Sequence, residues 1–165
     1  MKLKLLAAAA ISALAVSANA TTVDWGNHDN LELAAIFAKP GSFEDMIMFS
    51  IPGMSNVSST TVANNLMNLV NISNGMVSLF REAGATDTLI GSYSFDGTTG
   101  STWHTFSSLT AGDYYYRITG NATGTAGGFY SITSTVQAVP EPETYAMLLA
   151  GLGIMGSLYR RRKAD

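Results

Sequence analysis

The middle of the chain alternates apolar and polar positions with a period of two, which is typical of half-buried β-strands. One such run places five side chains on a single strand face: Phe43, Asp45, Ile47, Phe49 and Ile51. The same alternation, rich in aromatic, threonine and β-branched residues, recurs at residues 76–80, 89–95, 103–108, 114–119 and 129–136. Glycine-containing turn signals separate several of these runs, at residues 96–100, 111–113 and 124–128.

The spacing of these strands, about 8–14 residues, indicates an all-β, antiparallel β-sandwich and disfavours an α/β fold. Residues 31–38 fit either a short helix or a strand. Residues 61–70 have both periodicities, and we interpret them as a strand. Residues 21–138 form the predicted domain, about 118 residues that can bury about two thirds of their extended-chain surface.

Residues 1–20 have the three parts of a secretory signal peptide. Lys2 and Lys4 precede an apolar run at residues 5–16, and Ala18-Asn19-Ala20 supplies the small-x-small pattern that signal peptidase accepts. We therefore expect a signal helix and cleavage before Thr21. A core helix at the N-terminus is the alternative.

Residues 139–165 are also patterned in three parts. Pro140-Glu141-Pro142 precedes an apolar run at residues 145–159, and Arg160-Arg161-Arg162-Lys163 follows it. As a helix the 15-residue run measures about 22 Å, so it would span the ~30 Å bilayer core only with local thinning or help from its flanks. The basic tail stays in the cytoplasm by the positive-inside rule, which puts residues 21–138 outside the inner membrane.

This order of Pro-Glu-Pro triplet, short transmembrane helix and basic tail closely resembles the PEP-CTERM sorting signal of Gram-negative bacteria. The resemblance covers about residues 139–165. It implies processing by an exosortase, a membrane-embedded cysteine-dependent enzyme, with removal of the tail and delivery to the cell exterior. It also implies species that usually make exopolysaccharide. An ordinary C-terminal membrane anchor is the alternative interpretation.

The central segment resembles the FxDxF group of PEP-CTERM proteins. Phe43 and Asp45 match that motif, whereas Ile47 stands where the second Phe belongs. Residues 109–115, with their Leu-x-x-Gly-x-Tyr-Tyr pattern, resemble the pre-peptidase C-terminal β-sandwich. The resemblance implies a sandwich, jelly-roll-like or pre-peptidase C-terminal-like, and no defined activity.

Composition and charge exclude several classes of protein. Only 13% of residues are charged, the net charge is -3, and cysteine is absent. Nine acids and three bases at residues 21–138 give the predicted exported domain about 3 - 9 = -6. A nucleic-acid binder would carry a basic stripe, and disulfide scaffolds and thiolate zinc sites need cysteine, so these classes are excluded.

The sequence gives little support for a catalytic site or a metal site. His28 and His104 lie in no metal or triad motif, and Glu44 and Asp45, adjacent on a strand, point to opposite faces. Asp24, Asp29, Asp96 and Asp113 could contribute to a calcium site, but they form no evident ligand set. We expect no enzyme activity, no metal and no cofactor.

Two further features keep structural and binding interpretations open. Asp45 lies on an apolar strand face, where a carboxylate must accept hydrogen bonds or lie at the rim. Its role is either structural or in binding. Aromatic residues could contact a carbohydrate, although filling the core is the commoner use. The candidates are Trp103, Tyr114, Tyr115 and Tyr116.

The sequence thus predicts a non-enzymatic exported protein of the cell surface or extracellular matrix, associated with exopolysaccharide or biofilm. Signal peptidase and exosortase are its expected processing partners, and the precursor is held in the inner membrane transiently. A carbohydrate-binding module that uses exposed tyrosine and tryptophan is the alternative function.

Overall fold

A computed structural model describes residues 20–140 and 142–162. The predicted signal helix, with Ala18, therefore lies outside the described residues. Within the described ranges the chain forms nine strands and one helix: β1 Thr22–Asn27, β2 Leu31–Ala38, β3 Gly41–Ile51, β4 Ser55–Asn64, β5 Ile72–Arg81, β6 Thr88–Phe95, β7 His104–Leu109, β8 Gly112–Ala122, β9 Gly128–Ala138 and α1 Pro142–Arg162.

The strands form two sheets that pack face to face. One sheet has the order β1-β3-β8-β5-β6 and the other the order β2-β9-β4-β7. Each pairing is antiparallel except that of β1 with β3, which is parallel. The predicted all-β sandwich is therefore confirmed, with one parallel pair at the edge that the alternation did not reveal.

The two ambiguous segments resolve differently. Residues 31–38 form the edge strand β2, which pairs with β9 from Leu31↔Thr135 to Ala38↔Gly128. The strand prediction for residues 61–70 is wrong beyond Asn64, where β4 ends. A turn follows, in which the Leu69 amide donates to the Leu66 carbonyl and Met67 has a φ of 51°. That left-handed conformation takes the chain out of the sheet.

The core lies between the sheets and consists of the inward-facing side chains of the long strands. The predicted inner face of β3 is confirmed, since its members are buried: Phe43, Asp45, Ile47, Phe49 and Ile51. The largest fully buried side chains are two tyrosines from opposite sheets, Tyr116 on β8 and Tyr130 on β9. Across the interface the ring of Phe43 stacks on that of Tyr130, with centroids 5.6 Å apart.

One irregularity shapes the middle of the larger sheet. The register of β5 on β8 shifts between Ser73 and Met76, and Asn74 has a φ of 53°. Next to it, a Cβ added at Gly75 would lie 2.5 Å from the Phe95 carbonyl oxygen on β6. Glycine at residue 75 therefore permits a backbone approach that any side chain would obstruct.

The helix α1 encloses the apolar run predicted at residues 145–159. Its described side chains are exposed, including Leu149 and Met155 at 69% and 70%. Within residues 20–140 and 142–162, no helix combines the length and apolar character that crossing a membrane requires. The transmembrane helix stays a prediction.

Candidate functional sites

The predicted sorting triplet lies at the junction between sandwich and helix. The last strand ends at Ala138, and the next amide, that of Val139, donates to the Met54 carbonyl at 2.9 Å. Pro140 is exposed, and Glu141 lies outside the described residues. Proline is favoured at the first position of a helix, where residue 142 stands, and Glu143 in the first turn complements the helix dipole. The local residue types therefore explain why the helix starts here.

The predicted basic tail continues this helix. Residues 160–162 form its last turn, and Lys163 lies outside the described residues. Cations are favoured at a helix C-terminus because the carbonyl ends carry partial negative charge.

The candidate motif residue Asp45 lies in the core with both carboxylate oxygens occupied. It is 2% exposed. Its Oδ1 accepts from the backbone N–H of Thr21 at 2.6 Å, and its Oδ2 accepts from the Tyr130 hydroxyl at 2.6 Å. Burial raises the pKa of Asp45, and the hydrogen bonds from Tyr130 and Thr21 oppose that rise. Its contacts are those of a structural carboxylate.

His28 belongs to a second buried polar group. Its Nε2 lies 2.8 Å from the Ser134 hydroxyl, which is itself 2.9 Å from the Tyr116 hydroxyl. Its Nδ1 lies 2.6 Å from the Asp29 carbonyl oxygen. Burial lowers the pKa of His28 and raises that of Tyr116, because desolvation disfavours both charged forms. Both ring nitrogens are therefore engaged inside the fold.

The other histidine, His104, packs against an aromatic side chain. Its ring stacks on Tyr93, with centroids 4.0 Å apart. The Tyr93 hydroxyl in turn lies 3.0 Å from the hydroxyls of Ser59 and Thr61 on the opposite sheet. This stack connects the two sheets, because His104 lies on β7 and Tyr93 on β6.

The predicted carbohydrate contacts are separated by the fold. Tyr114 and Tyr116 are 2% and 0% exposed, so they fill the core, the commoner use, and are not accessible to a sugar. They face inward because they pair with Phe49 and Ile47, whose side chains lie on the buried face of β3. Tyr115 faces outward, stacks on Phe80 at 5.2 Å, and donates to Asp87 Oδ2 at 2.8 Å.

Trp103 is the most accessible of the four, with 49% exposure. It precedes β7, the edge strand of the smaller sheet, whereas Tyr115 lies in the larger sheet. The four candidates therefore form no common platform, and a sugar could stack on Trp103 or Tyr115 but not on all four.

The acidic candidates Asp24, Asp96 and Asp113 are divided between a turn and an open pocket. Asp96 closes its own turn: its Oδ1 accepts from the Thr98 hydroxyl and from the amides of Thr98 and Thr99. These bonds, led by the Thr98 hydroxyl, hold the pKa of Asp96 below its ordinary value. Asp24 and Asp113 line an open pocket of about 250 Å³. In the part of the chain that the structure describes, no three acidic or histidine side chains form a metal-binding group.

Two partners in these sites were missed by the sequence. Tyr130 reaches Asp45 from 85 positions away, and the Thr21 amide reaches it from 24 positions away. The sequence indicated only that Asp45, a carboxylate on an apolar strand face, needs hydrogen-bond donors. It did not show which residues supply them.

Residues 138–163 match the family model described as the PEP-CTERM protein-sorting motif. The chain carries this motif, which implies exosortase-dependent sorting of an exported protein. No curated protein matches the chain.

Solved structures with some similarity include the pre-peptidase C-terminal domain of a collagenase from Bacillus anthracis, at 12% identity, TM-score 0.44, and coverage of 70% of this chain and 94% of that chain. A Yersinia pseudotuberculosis-derived mitogen is similar at 16% identity, TM-score 0.43, and coverage of 69% and 92%. At these scores the similarities carry no argument, and the sandwich assignment comes from the strand pairing itself.

Proposed function

We propose that the chain is the precursor of a non-enzymatic cell-surface or extracellular-matrix protein, whose sandwich is the exported product and whose tail is its address. The PEP-CTERM motif at residues 138–163 carries this proposal. Its position supports it, because Pro140 is exposed two residues beyond the last strand. An exosortase could remove the tail there without breaking a strand.

The contents of the sandwich support a structural role. His28 and Asp45, the buried groups best suited to proton transfer, hydrogen-bond to partners within the fold. The sandwich also buries a large aromatic core that includes Tyr116, Tyr130 and Phe95. Such a core can hold an exported domain together without disulfides. We assign the domain to the cell surface or matrix rather than to catalysis.

Association with exopolysaccharide or biofilm is part of the proposal, since the PEP-CTERM motif implies export, usually in species that make exopolysaccharide. The charge of about -6 on residues 21–138 would repel an anionic polysaccharide. Contact with an acidic polymer therefore requires bridging cations or uncharged groups. A neutral polymer requires neither.

Processing is tested by replacing Pro140, Glu141 and Pro142 with alanine and following the protein by cell fractionation and intact mass. We expect the wild type to lose both ends and the triple variant to stay in the inner membrane uncleaved. A matched control replaces Ser101 and Thr102, both exposed in the loop before strand β7, with alanine. Release of the triplet variant, or a mature wild type that keeps residues 160–163, would contradict the sorting proposal.

Carbohydrate binding through Trp103 is the second candidate, favoured by the half exposure of this indole beside the His104–Tyr93 stack. Binding of the exported protein to the producing strain's own polysaccharide should fall in Trp103→Ala. Leu33→Ala is the matched control, because Leu33 has similar exposure at 50% on the opposite edge strand of the same sheet. Equal binding by both variants, or none by the wild type, would dismiss this function.

A further inference from the structure

Thr21 occupies a special place in the fold, because its nitrogen is the atom that signal-peptidase cleavage would free. That nitrogen lies 2.6 Å from Oδ1 of the buried Asp45. We propose that cleavage after Ala20 turns this contact into an ion pair between the new α-ammonium of Thr21 and the Asp45 carboxylate. Asp45 then binds the N-terminal ammonium group of the mature protein. This inference rests on the proposed removal of the signal peptide.

The chemistry of the step balances simply. Hydrolysis of the Ala20–Thr21 peptide bond adds one water, leaving a carboxylate on Ala20 and an amine on Thr21. The amine takes up a proton at neutral pH, since an ordinary α-amino pKa is about 7.7–8.0. An uncharged amide donor thereby becomes a cationic donor at the same atom. No cofactor or further reactant is needed.

Among the residues that the structure describes, Asp45 has no positively charged partner. Its hydrogen-bond donors are the Thr21 amide, the Thr21 hydroxyl and the Tyr130 hydroxyl, and all three are neutral. The ion pair found within the described ranges joins Arg117 on β8 to Glu44 on β3 at 3.9 Å, and both of its side chains are exposed. A buried carboxylate without a counter-charge is costly, so the site favours a cation. Burial accordingly raises the pKa of Asp45.

The backbone already positions the new terminus. The Thr21 carbonyl accepts from the Met46 amide at 2.8 Å, and β1 then runs parallel to β3 from Thr22↔Met46. Asp45 precedes Met46 on β3, so the sheet register itself brings residue 21 to the carboxylate. Ala20 is exposed, and its removal takes nothing from the core. The ion pair therefore forms without rearrangement of the fold.

The expected consequence is a tighter edge strand. Charge-assisted hydrogen bonds are roughly twice as strong as neutral ones, and this bond anchors the residue that leads into the short strand β1. Cleavage would thus complete the sandwich, and the uncleaved precursor would hold β1 less firmly. The Tyr130 hydroxyl stays on Oδ2 in both forms, which leaves Oδ1 for the terminus.

The test compares four chains that all run to Asp165 in a mild non-ionic detergent. Two begin at Thr21, prepared from a fusion whose protease leaves no extra residue, and two keep residues 18–20 ahead of it. Each pair contains one chain with the native Asp45 and one with Asp45→Asn. At pH 7 the extension should lower the folding equilibrium constant at least about tenfold in the native pair, equivalent to about one pKa unit. In the Asp45→Asn pair it should change that constant little.

A direct readout is the pKa of the Thr21 amine, measured by NMR in the two chains that begin there. The groups that act on Asp45 are the Tyr130 hydroxyl, the Thr21 hydroxyl and this amine. Tyr130 stays neutral at these pH values because burial raises its pKa well above the ordinary value. We expect an amine pKa raised above about 8 in the native chain and an ordinary value of about 7.7–8.0 in the Asp45→Asn chain. While Asp45 is ionised, the stabilisation should be complete below the ordinary amine pKa and lost as pH rises through the raised amine pKa.

An ordinary amine pKa in the native chain would overturn the ion pair, even if Asp45→Asn failed to fold. Equal effects of the extension in the native and Asp45→Asn pairs would also overturn it. These chains test the pairing whatever signal peptidase does, because their termini are engineered. The intact mass of the exported protein tests the cleavage separately, and a start other than Thr21 there would remove the biological role.

Discussion

Replacing Tyr130 with Phe removes one buried hydroxyl while keeping the ring that packs between the sheets. That ring contacts Phe43 and Phe95, each with centroids 5.6 Å away, and both contacts survive the change. The hydroxyl donates to Asp45 Oδ2 at 2.6 Å. The variant therefore isolates a single hydrogen bond to a buried carboxylate.

The expected loss follows from the charge of the acceptor. A hydrogen bond to a charged group contributes about 1.5–3 kcal/mol, against about 0.5–1.5 kcal/mol for a neutral pair. Tyr114→Phe supplies the matched control, because its hydroxyl donates to the neutral Thr110 carbonyl at 2.8 Å and its ring is also buried. We expect Tyr130→Phe to destabilise the fold by about 2 kcal/mol and Tyr114→Phe by about 1 kcal/mol.

The pH dependence gives the same prediction a second test. The Tyr130 hydroxyl lowers the pKa of Asp45 against the larger raising effect of burial, so its removal raises that pKa further. A raised folded-state pKa means that stability is retained below the unfolded value, near 3.8, and lost as pH rises through the folded value. The penalty of Tyr130→Phe should thus be full at pH 7 and smaller near pH 4.

Urea unfolding of the chain from Thr21 to Asp165, followed by tryptophan fluorescence at both pH values, measures these differences. The m-value reports whether the variants keep the same unfolding transition. A penalty for Tyr130→Phe no greater than that for Tyr114→Phe at pH 7 would refute the charged hydrogen bond. A penalty unchanged between pH 7 and pH 4 would refute the role of Asp45 ionisation.

Two further predictions concern backbone space and histidine burial. Gly75→Ala should destabilise by about 1–3 kcal/mol in urea unfolding, because its Cβ would lie 2.5 Å from the Phe95 carbonyl oxygen. Gly53→Ala, with nothing within 4 Å, should change little, and equal effects would contradict this account. Burial lowers the pKa of His28 below 6.5, so stability should fall as pH drops below about 6.5. His28→Gln should flatten that decline, and an NMR pKa for His28 at or above 6.5 would refute it.

The inner face of β3 shows how far local pattern reaches. Period-two alternation placed Phe43, Asp45, Ile47 and Phe49 on one face, and all four are buried. The same alternation put Tyr115 opposite Tyr114 and Tyr116, but it could not say which side meets the other sheet. The register of β8 on β3 decides that, because Tyr114 and Tyr116 pair with Phe49 and Ile47 and so share their buried face.

The two segments with ambiguous periodicity, residues 31–38 and 61–70, were also decided by strand pairing. Residues 31–38 have no local preference strong enough to choose helix or strand, and eight paired positions on β9 make them the edge strand β2. Beyond Asn64 the strand prediction failed because β9, the partner of β4, begins at Gly128 opposite the end of β4, and Met67 turns the chain away. Pairing partners far along the chain, rather than the residues themselves, settled both cases.

The sorting triplet and the predicted signal peptide depend on contiguous residues, since processing enzymes and the membrane recognise charge, apolar length and small side chains in linear order. The PEP-CTERM motif and the β class of the central domain could therefore be predicted from the sequence. The donors that reach each buried carboxylate could not, because they depend on the tertiary structure. Asp45 meets Thr21 through the parallel register of β1 on β3, and Tyr130 through the packing of two sheets. Such contacts join residues 24 and 85 positions apart, and no local pattern encodes them because they exist only once strands pair and sheets stack.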